Sequence, residues 1–203
     1  GEVIKDYFLN FYTLHNDLSV DLDSGATKVH ERRSEEHVNW KIDLVNTGLH
    51  TQTGGRVRRL KDWVGNETFF LTYGDGVADV NVRKLYDFHK KHGKLATVTA
   101  VRPSARFGEL AMEGDKVLHF IEKPQTHSGW INGGYFVLEP EVFDLIGDDS
   151  TIWERGPLEK LASMGELMAY QHDGFWQCMD TLREKRLLEG LWQSGEAPWK
   201  VWK

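Results

Sequence analysis

Two short stretches hold acidic residues where the chain is about to change direction. In "YGDGVAD" (73–79) an apolar segment runs into Asp75, held between Gly74 and Gly76. A carboxylate at a strand end, with glycines that let a ligand approach the backbone, can offer oxygens to a hard cation such as Mg²⁺. The same letters also suit a turn, with Asp79 or Asn81 capping the helix that follows; on the motif alone the turn is favoured, because Gly and Asp are common turn residues. In "GFWQCMD" (174–180), Asp180 stands just before a predicted helix. It suits either an N-cap or a second carboxylate of a metal site close in space to Asp75.

Other candidates are weaker singly. "IEKP" (121–124) sets Glu122 beside Lys123 at the end of a strand stopped by Pro124. Neighbours in a strand face opposite ways, so the two share a pocket wall only if the strand bends there. Lys123 could meet a phosphate as a point charge and Glu122 could meet hydroxyls, but a solvated edge pair is the commoner use of such letters. "INGGYF" (131–136) places Asn132 before Gly133 and Gly134 inside a β pattern, which marks either a bulge or a close ligand approach. "TGGRVRR" (53–59) offers the start of a helix beside Arg56, Arg58 and Arg59, suited to an anion or to a plain basic surface. Cys178 reads as a packed thiol, and the nine histidines show no zinc-like spacing.

The elements that must position these residues follow from periodicity. "GEVIKDYFLNFY" is helical, with Val3, Ile4, Tyr7, Phe8 and Phe11 on one side. Short β signals follow at 18–22 and 27–32 around a Gly-containing turn, and an alternating strand is predicted at Val38–Val45. A helix over 53–64 starts after the glycine pair; Thr68–Tyr73 reads as a short buried strand. Asn81–His92 is a helix burying Val82, Leu85, Tyr86 and Phe88 and ended by Gly93. "LATVTAV" (95–101), apolar on both faces, suits a central parallel strand. Further on come a hairpin over 109–124 turning at Gly114–Asp115 and a strand at 130–140. Short helices near 141–146 and 157–164, a strand at Leu167–His172 and a last helix at 181–192 complete the pattern. The β–α–β–α–β alternation predicts an α/β fold, a doubly wound, mostly parallel Rossmann-like sheet with a small β-rich part. With no repeat or linker, 1–203 is expected to be one domain, divided into 1–102 and 103–203.

The totals narrow the function. A chain of 203 residues that is 40% hydrophobic can bury a sizeable core. The balance of 25 basic to 31 acidic residues, net −6, argues against nucleic acid as a partner. A single cysteine suits a reducing, cytoplasmic setting, and neither a membrane span nor a signal-peptide pattern is legible. The tail "LWQSGEAPWKVW" carries Trp192, Trp199 and Trp202 with no core period. Two covers suit it: a partner subunit, which would make the protein a homo-oligomer, or its own domain.

Taken in order, TGGR, YGDGV, RFGEL, IEKP, INGGYF and GFWQCMDT resemble the sugar-nucleotide pyrophosphorylases essentially end to end. Within them the resemblance is greatest to the glucose-1-phosphate cytidylyltransferases, which make CDP-glucose from CTP and glucose 1-phosphate. "FFLTYGDGVAD" with "GFWQCMDTLREK" and "APWK" carries most of its specificity. The resemblance implies that Asp75 and Asp180 hold Mg²⁺ against the nucleotide phosphates. It implies that Lys123 binds the phosphate of the sugar phosphate and Glu122 the sugar hydroxyls. Gly108 and Asn132 match sugar-pocket positions, Gly133 and Trp176 join the substrate-binding set, and Gly55 and Arg56 fall where the family meets the nucleotide base. Catalysis would then be mostly positioning and charge neutralisation, with no protein nucleophile.

The family's opening strand and Gly-rich loop, of the type G-G-x-G-T-R-L, have no counterpart in 1–203. The expectation is therefore that this chain is a fragment, inactive alone, with an exposed apolar sheet edge. Two other functions compete: a non-catalytic domain binding sugar phosphates or nucleotides for regulation or assembly, and a metal-dependent glycosyltransferase, in which Lys123 has no role.

Overall fold

Residues 95–101, apolar on both faces in the sequence, lie in the middle of the main sheet. The computed structural model describes residues 1–30, 40–103, 109–113, 116–121 and 129–202. The chain divides into two units, Gly1–Gly48 and Leu49–Lys203.

The first unit is small. Helix α1 (Glu2–Leu14) precedes an antiparallel hairpin of β1 (Asp17–Val20) and β2 (Thr27–His30), with Asp17 opposite His30. Asp21 accepts the Asp23 and Ser24 backbone N–H groups and Gly25 takes φ +72°, which closes the predicted turn. The predicted strand at Val38–Val45 is not found. Val38 and Asn39 lie outside the described residues, and 40–45 form no strand; Trp40 is 75% exposed. Alternation makes a strand only where an edge is available to pair with, and none meets this segment among the described residues.

The second unit contains α2 (Thr53–Arg58), α3 (Lys61–Val64), β3 (Phe69–Thr72), β4 (Gly76–Ala78), α4 (Val82–His92), β5 (Ala96–Val101), β6 (Glu109–Glu113), β7 (Lys116–Ile121) and β8 (Ile131–Leu138). A 3-10 turn at Pro140–Leu145, α5 (Pro157–Ser163), β9 (Leu167–His172), β10 (Trp176–Cys178) and α6 (Leu182–Gln193) follow. The main sheet has the order β3-β8-β5-β9. β5 runs parallel to β9, while β8 is antiparallel to both β3 and β5. Three strands therefore point one way and β8 alone opposes them, giving an α/β fold with a mixed sheet. One face packs Phe136 and Leu138 against Val57, Trp153 and Leu161; the other sets Val137 against Val80 and Leu85. This alternation along β8 is what a strand covered by helices on both faces requires.

Several expectations need correction. The helix over 53–64 breaks at Arg59–Leu60, where tertiary ties override the period: Arg59 is bound to Asp149, and Lys61 bonds Asp144 at 3.2 Å. Its glycines lie inside the first turn, not ahead of it. A Cβ on Gly54 would stand 2.8 Å from the Thr151 carbonyl, and one on Gly55 2.6 Å from Asp149 Cα. β3 is an edge strand, not a buried one, and Phe70 is 51% exposed. In α4, Val82 is 60% exposed, and the buried place is taken by His89. The His89 ring lies 2.8 Å from Thr97 Oγ1 and 3.1 Å from Glu139 Oε1, and burial pushes its pKa down. Burial alone would raise Glu139, yet hydrogen bonds from Lys90, Thr68 and His89 outweigh it and hold the carboxyl below its ordinary value.

Other local readings hold. Asn81 caps α4 by accepting the Lys84 N–H at 3.0 Å, and Gly93 ends it at φ +64°. The turn at Gly114–Asp115 lies outside the described residues, but its flanking strands pair, with Glu113 opposite Lys116. In the tail, Trp199 stacks on Phe175, whereas Trp192 and Trp202 stay half exposed. Among the described residues no helix is long and apolar enough to cross a membrane.

Candidate active site

A short ladder brings the two candidate carboxylates to one place. β4 pairs antiparallel with β10, with Gly76 opposite Cys178 and Ala78 opposite Trp176. Just beyond the ladder, the Met179 N–H donates to the Asp75 carbonyl at 2.7 Å. Residues 75 and 180 therefore leave the ladder at the same end, and both line a cavity of about 310 Å³ together with Tyr73, Asn132, Gly133 and Trp176.

The chain bends at Gly74–Asp75, and neither Gly74 nor Gly76 has a positive φ, so left-handed backbone is not what calls for glycine there. A Cβ on Gly74 would meet nothing within 4 Å, and one on Gly76 would be 3.7 Å from the Trp176 indole nitrogen. Packing among the described residues therefore does not require glycine here; they leave open space beside Asp75. Asp79, four residues on, is committed otherwise: its Oδ1 lies 2.9 Å from His172 Nε2 and packs where a Gly174 Cβ would be.

Asp180 does not cap α6. That role belongs to Thr181, which accepts the Glu184 N–H at 3.3 Å while Glu184 Oε2 accepts the N–H groups of Asp180 and Thr181 at 2.9 Å. The ligating atoms of Cys178, Asp180 and Glu184 lie within 4.8 Å of one another. They are unequal as ligands. Burial pushes the Cys178 thiol up, keeping it protonated, and Glu184 already accepts two N–H groups with one oxygen. Exposed carboxylates at 75 and 180 are the donors that suit magnesium, which binds through one or two carboxylates plus phosphate oxygens.

The facing wall comes from β8. Val98 pairs with Phe136 but Ala100 pairs with Asn132, so the ladder slips across Gly133–Gly134. A Cβ on Gly133 would stand 2.7 Å from Val101 Cγ1; one on Gly134, at φ +78°, would stand 2.7 Å from the Tyr73 ring. Two hydrogen bonds tie this wall to the β4–β10 ladder. The Trp176 indole N–H donates to the Gly133 carbonyl at 2.8 Å, and the Tyr135 hydroxyl donates to the Gly76 carbonyl at 2.9 Å.

Five of the expected site residues thus meet: Asp75, Asn132, Gly133, Trp176 and Asp180. Gly55 and Arg56 are not among the lining residues; the Gly55 N–H donates to the Thr151 carbonyl at 3.2 Å and an Arg56 Nη2–H to the Leu49 carbonyl at 3.3 Å. Gly108, Glu122 and Lys123 lie outside the described residues. The sequence reading missed Tyr73 and Glu154. The Tyr73 hydroxyl donates to Glu154 Oε1 at 2.5 Å and accepts from Asn132 Nδ2 at 3.1 Å. Burial, then Glu154, raises the Tyr73 pKa far above its ordinary value. No local signal announces a pair so distant in sequence, whereas the Thr181–Glu184 cap is legible in "TLRE".

The family described as nucleotidyl transferase matches residues 25–177. The glucose-1-phosphate cytidylyltransferases of Salmonella typhi and Salmonella typhimurium are each 50% identical to this chain over 203 residues, which is 100% of it and 78% of theirs. Among solved structures, HddC of Yersinia pseudotuberculosis, complexed with GMP-PN, superimposes with a TM-score of 0.55 at 18% identity. That likeness covers 75% of this chain and 68% of the other, and it shows the shared fold.

Proposed function

The chain belongs to the nucleotidyl transferase family, among the sugar-nucleotide pyrophosphorylases, and from that premise we propose that it serves the synthesis of CDP-glucose and pyrophosphate from CTP and glucose 1-phosphate. The observation that carries the reading is the convergence of Asp75 and Asp180 at one end of the β4–β10 ladder, opposite Asn132 and Gly133. Identity of 50% over 203 residues to two cytidylyltransferases supports the choice of substrates.

On this reading Asp75 and Asp180 hold Mg²⁺, which neutralises charge on the nucleotide phosphates. A phosphate oxygen of glucose 1-phosphate attacks the α-phosphorus in line with the departing pyrophosphate. The P–O bond to pyrophosphate breaks as the new one forms, so no protein nucleophile is required. Asn132, the Gly133 backbone and Trp176 bound the sugar side of the cavity. Lys123 takes the sugar phosphate, Glu122 its hydroxyls, and Gly108 joins the sugar pocket. Gly55 and Arg56 serve the nucleotide base. A cytoplasmic homo-oligomer belongs to the same reading, with the half-exposed Trp192 and Trp202 as surface for a second copy.

A pyrophosphate-release assay with Mg²⁺ and glucose 1-phosphate, run on the full-length protein of which these residues are part, tests it. Release with CTP above UTP and dTTP is expected; equal or greater release with UTP, or none with any of them, overturns the proposed substrates.

A further inference from the structure

A chain of hydrogen bonds runs behind the cavity, and every donor in it can be assigned. The Trp153 N–H donates to Thr53 Oγ1 at 2.9 Å, and the Thr53 hydroxyl proton then goes to Glu154 Oε2 at 2.9 Å. The Tyr73 hydroxyl gives its proton to Glu154 Oε1 at 2.5 Å. Its oxygen is left to accept from Asn132 Nδ2 at 3.1 Å, while Asn132 Oδ1 accepts the Gly134 N–H at 2.8 Å. Both Glu154 oxygens accept, and hydrogen bonds to a carboxylate are the stronger kind. The amide of Asn132 has no freedom to flip, because its oxygen faces a donor and its nitrogen an acceptor. One amide hydrogen remains for the cavity, so Asn132 can meet a ligand as a donor.

We propose that Glu154 is a positioning residue: through Tyr73 it fixes the Asn132 amide as a donor on the cavity wall, and through Thr53 it locks that wall to the start of α2. Glu154 is half-buried and is not among the lining residues, so it acts through its neighbours, not on a ligand. The proposal has a consequence for the two subsites. α2 carries Gly55 and Arg56, where the resemblance puts the nucleotide base, and Asn132 stands on the sugar side. A single carboxylate thus joins the residues of both, reaching Tyr73 across 81 positions and Thr53 across 101.

The proposal rests on the CDP-glucose reading only for what Asn132 grips, and the test keeps the two apart. The Asn132 side-chain amide is followed by NMR in the folded chain, in wild type, Glu154→Gln and Tyr73→Phe. Its protons are expected to exchange slowly in wild type, to shift in both variants, and to move back toward wild type in Glu154→Asp. An Asn132 signal unmoved by Glu154→Gln overturns the proposal, whatever the protein binds. In turnover, Glu154→Gln is expected to raise the KM for glucose 1-phosphate about tenfold, the effect of one misplaced hydrogen-bonding group. The same change should alter kcat by less than about threefold. A general loss of fold would lower kcat and the melting temperature together, and that outcome also counts against positioning. Absence of pyrophosphate release from wild type removes the CDP-glucose reading and leaves the NMR result to decide this one.

Discussion

The cavity has two walls built around glycine pairs, and the pairs are there for different reasons. At Gly133–Gly134 the protein itself leaves no room: Val101, the Thr99 carbonyl and the Tyr73 ring occupy the places where Cβ atoms would go. At Gly74–Gly76 nothing among the described residues forbids a Cβ. The first pair is explained by packing, which lets β8 bulge and aim Asn132. The second has no explanation inside the described residues, and a bound ligand beside Asp75 supplies one. A glycine demanded by a neighbour is a fact about the fold; one facing open space beside a carboxylate is a pointer to what comes from outside.

The largest effects should come from the open wall and should spare stability. Asp75→Asn and Asp180→Asn remove charge at exposed positions, and the cap of α6 is Thr181, not Asp180. Each is expected to cut pyrophosphate release at least about a hundredfold with the melting temperature unchanged. Retained activity in either variant would take that residue out of the metal site.

The packed wall should fail in the opposite way. Gly134→Ala combines a clash with the Tyr73 ring and a left-handed backbone. Overpacking costs about 1–3 kcal/mol and left-handed alanine about 1 more, measurable by urea unfolding. Gly133→Ala, at ordinary φ, should cost only the overpacking share, about 1–3 kcal/mol. If Gly133→Ala unfolds at the wild-type midpoint, the packing account of this wall is wrong.

The sheet that carries this wall also holds a titrating pair, further along β5. Thr97 of β5 holds the rings of both His89 and His92, and burial lowers the pKa of each. Folded values below the unfolded ones mean that the unfolded chain binds more protons as pH falls. Stability is therefore complete above the ordinary imidazole value of 6.5 and declines below it, until pH passes the folded values. The slope should reach at most about 1.4 kcal/mol per pH unit for each ring. Unfolding followed from pH 7.5 to pH 5 checks it, and His89→Gln should flatten the curve.

What could be read from the sequence was what is decided within a few residues. The Asn81 cap, the Gly93 stop and strand β9 at Leu167–His172 were legible because local chemistry suffices for them. The doubly covered strand β5 announced itself by apolar residues on both faces. Residues 40–45 misled because alternation says nothing about whether a partner edge exists. Val82 misled because helical period fixes a stripe but not its width, and His89, a polar residue, took the buried position through bonds to Thr97 and Glu139. For the site, order along the chain pointed to Asp75, Asn132 and Asp180, which do meet. The Tyr73–Glu154 bond was invisible, since only the folded sheet brings those residues together.

The smallest effect on stability is the one that tests the comparison hardest. Gly74→Ala places a methyl group in open space at a residue with no positive φ. A glycine replaced where alanine suits the backbone gains about 0.4–1 kcal/mol, because the unfolded chain loses freedom. The melting temperature should therefore stay level or rise slightly, in contrast to Gly133→Ala. If the space beside Asp75 is kept for nucleotide phosphates, the same methyl should weaken CTP binding, which titration calorimetry on wild type and variant would register. An alanine that raises stability and leaves CTP binding untouched would mean that the space is not used. Gly74 would then have no role that either the fold or the ligand demands.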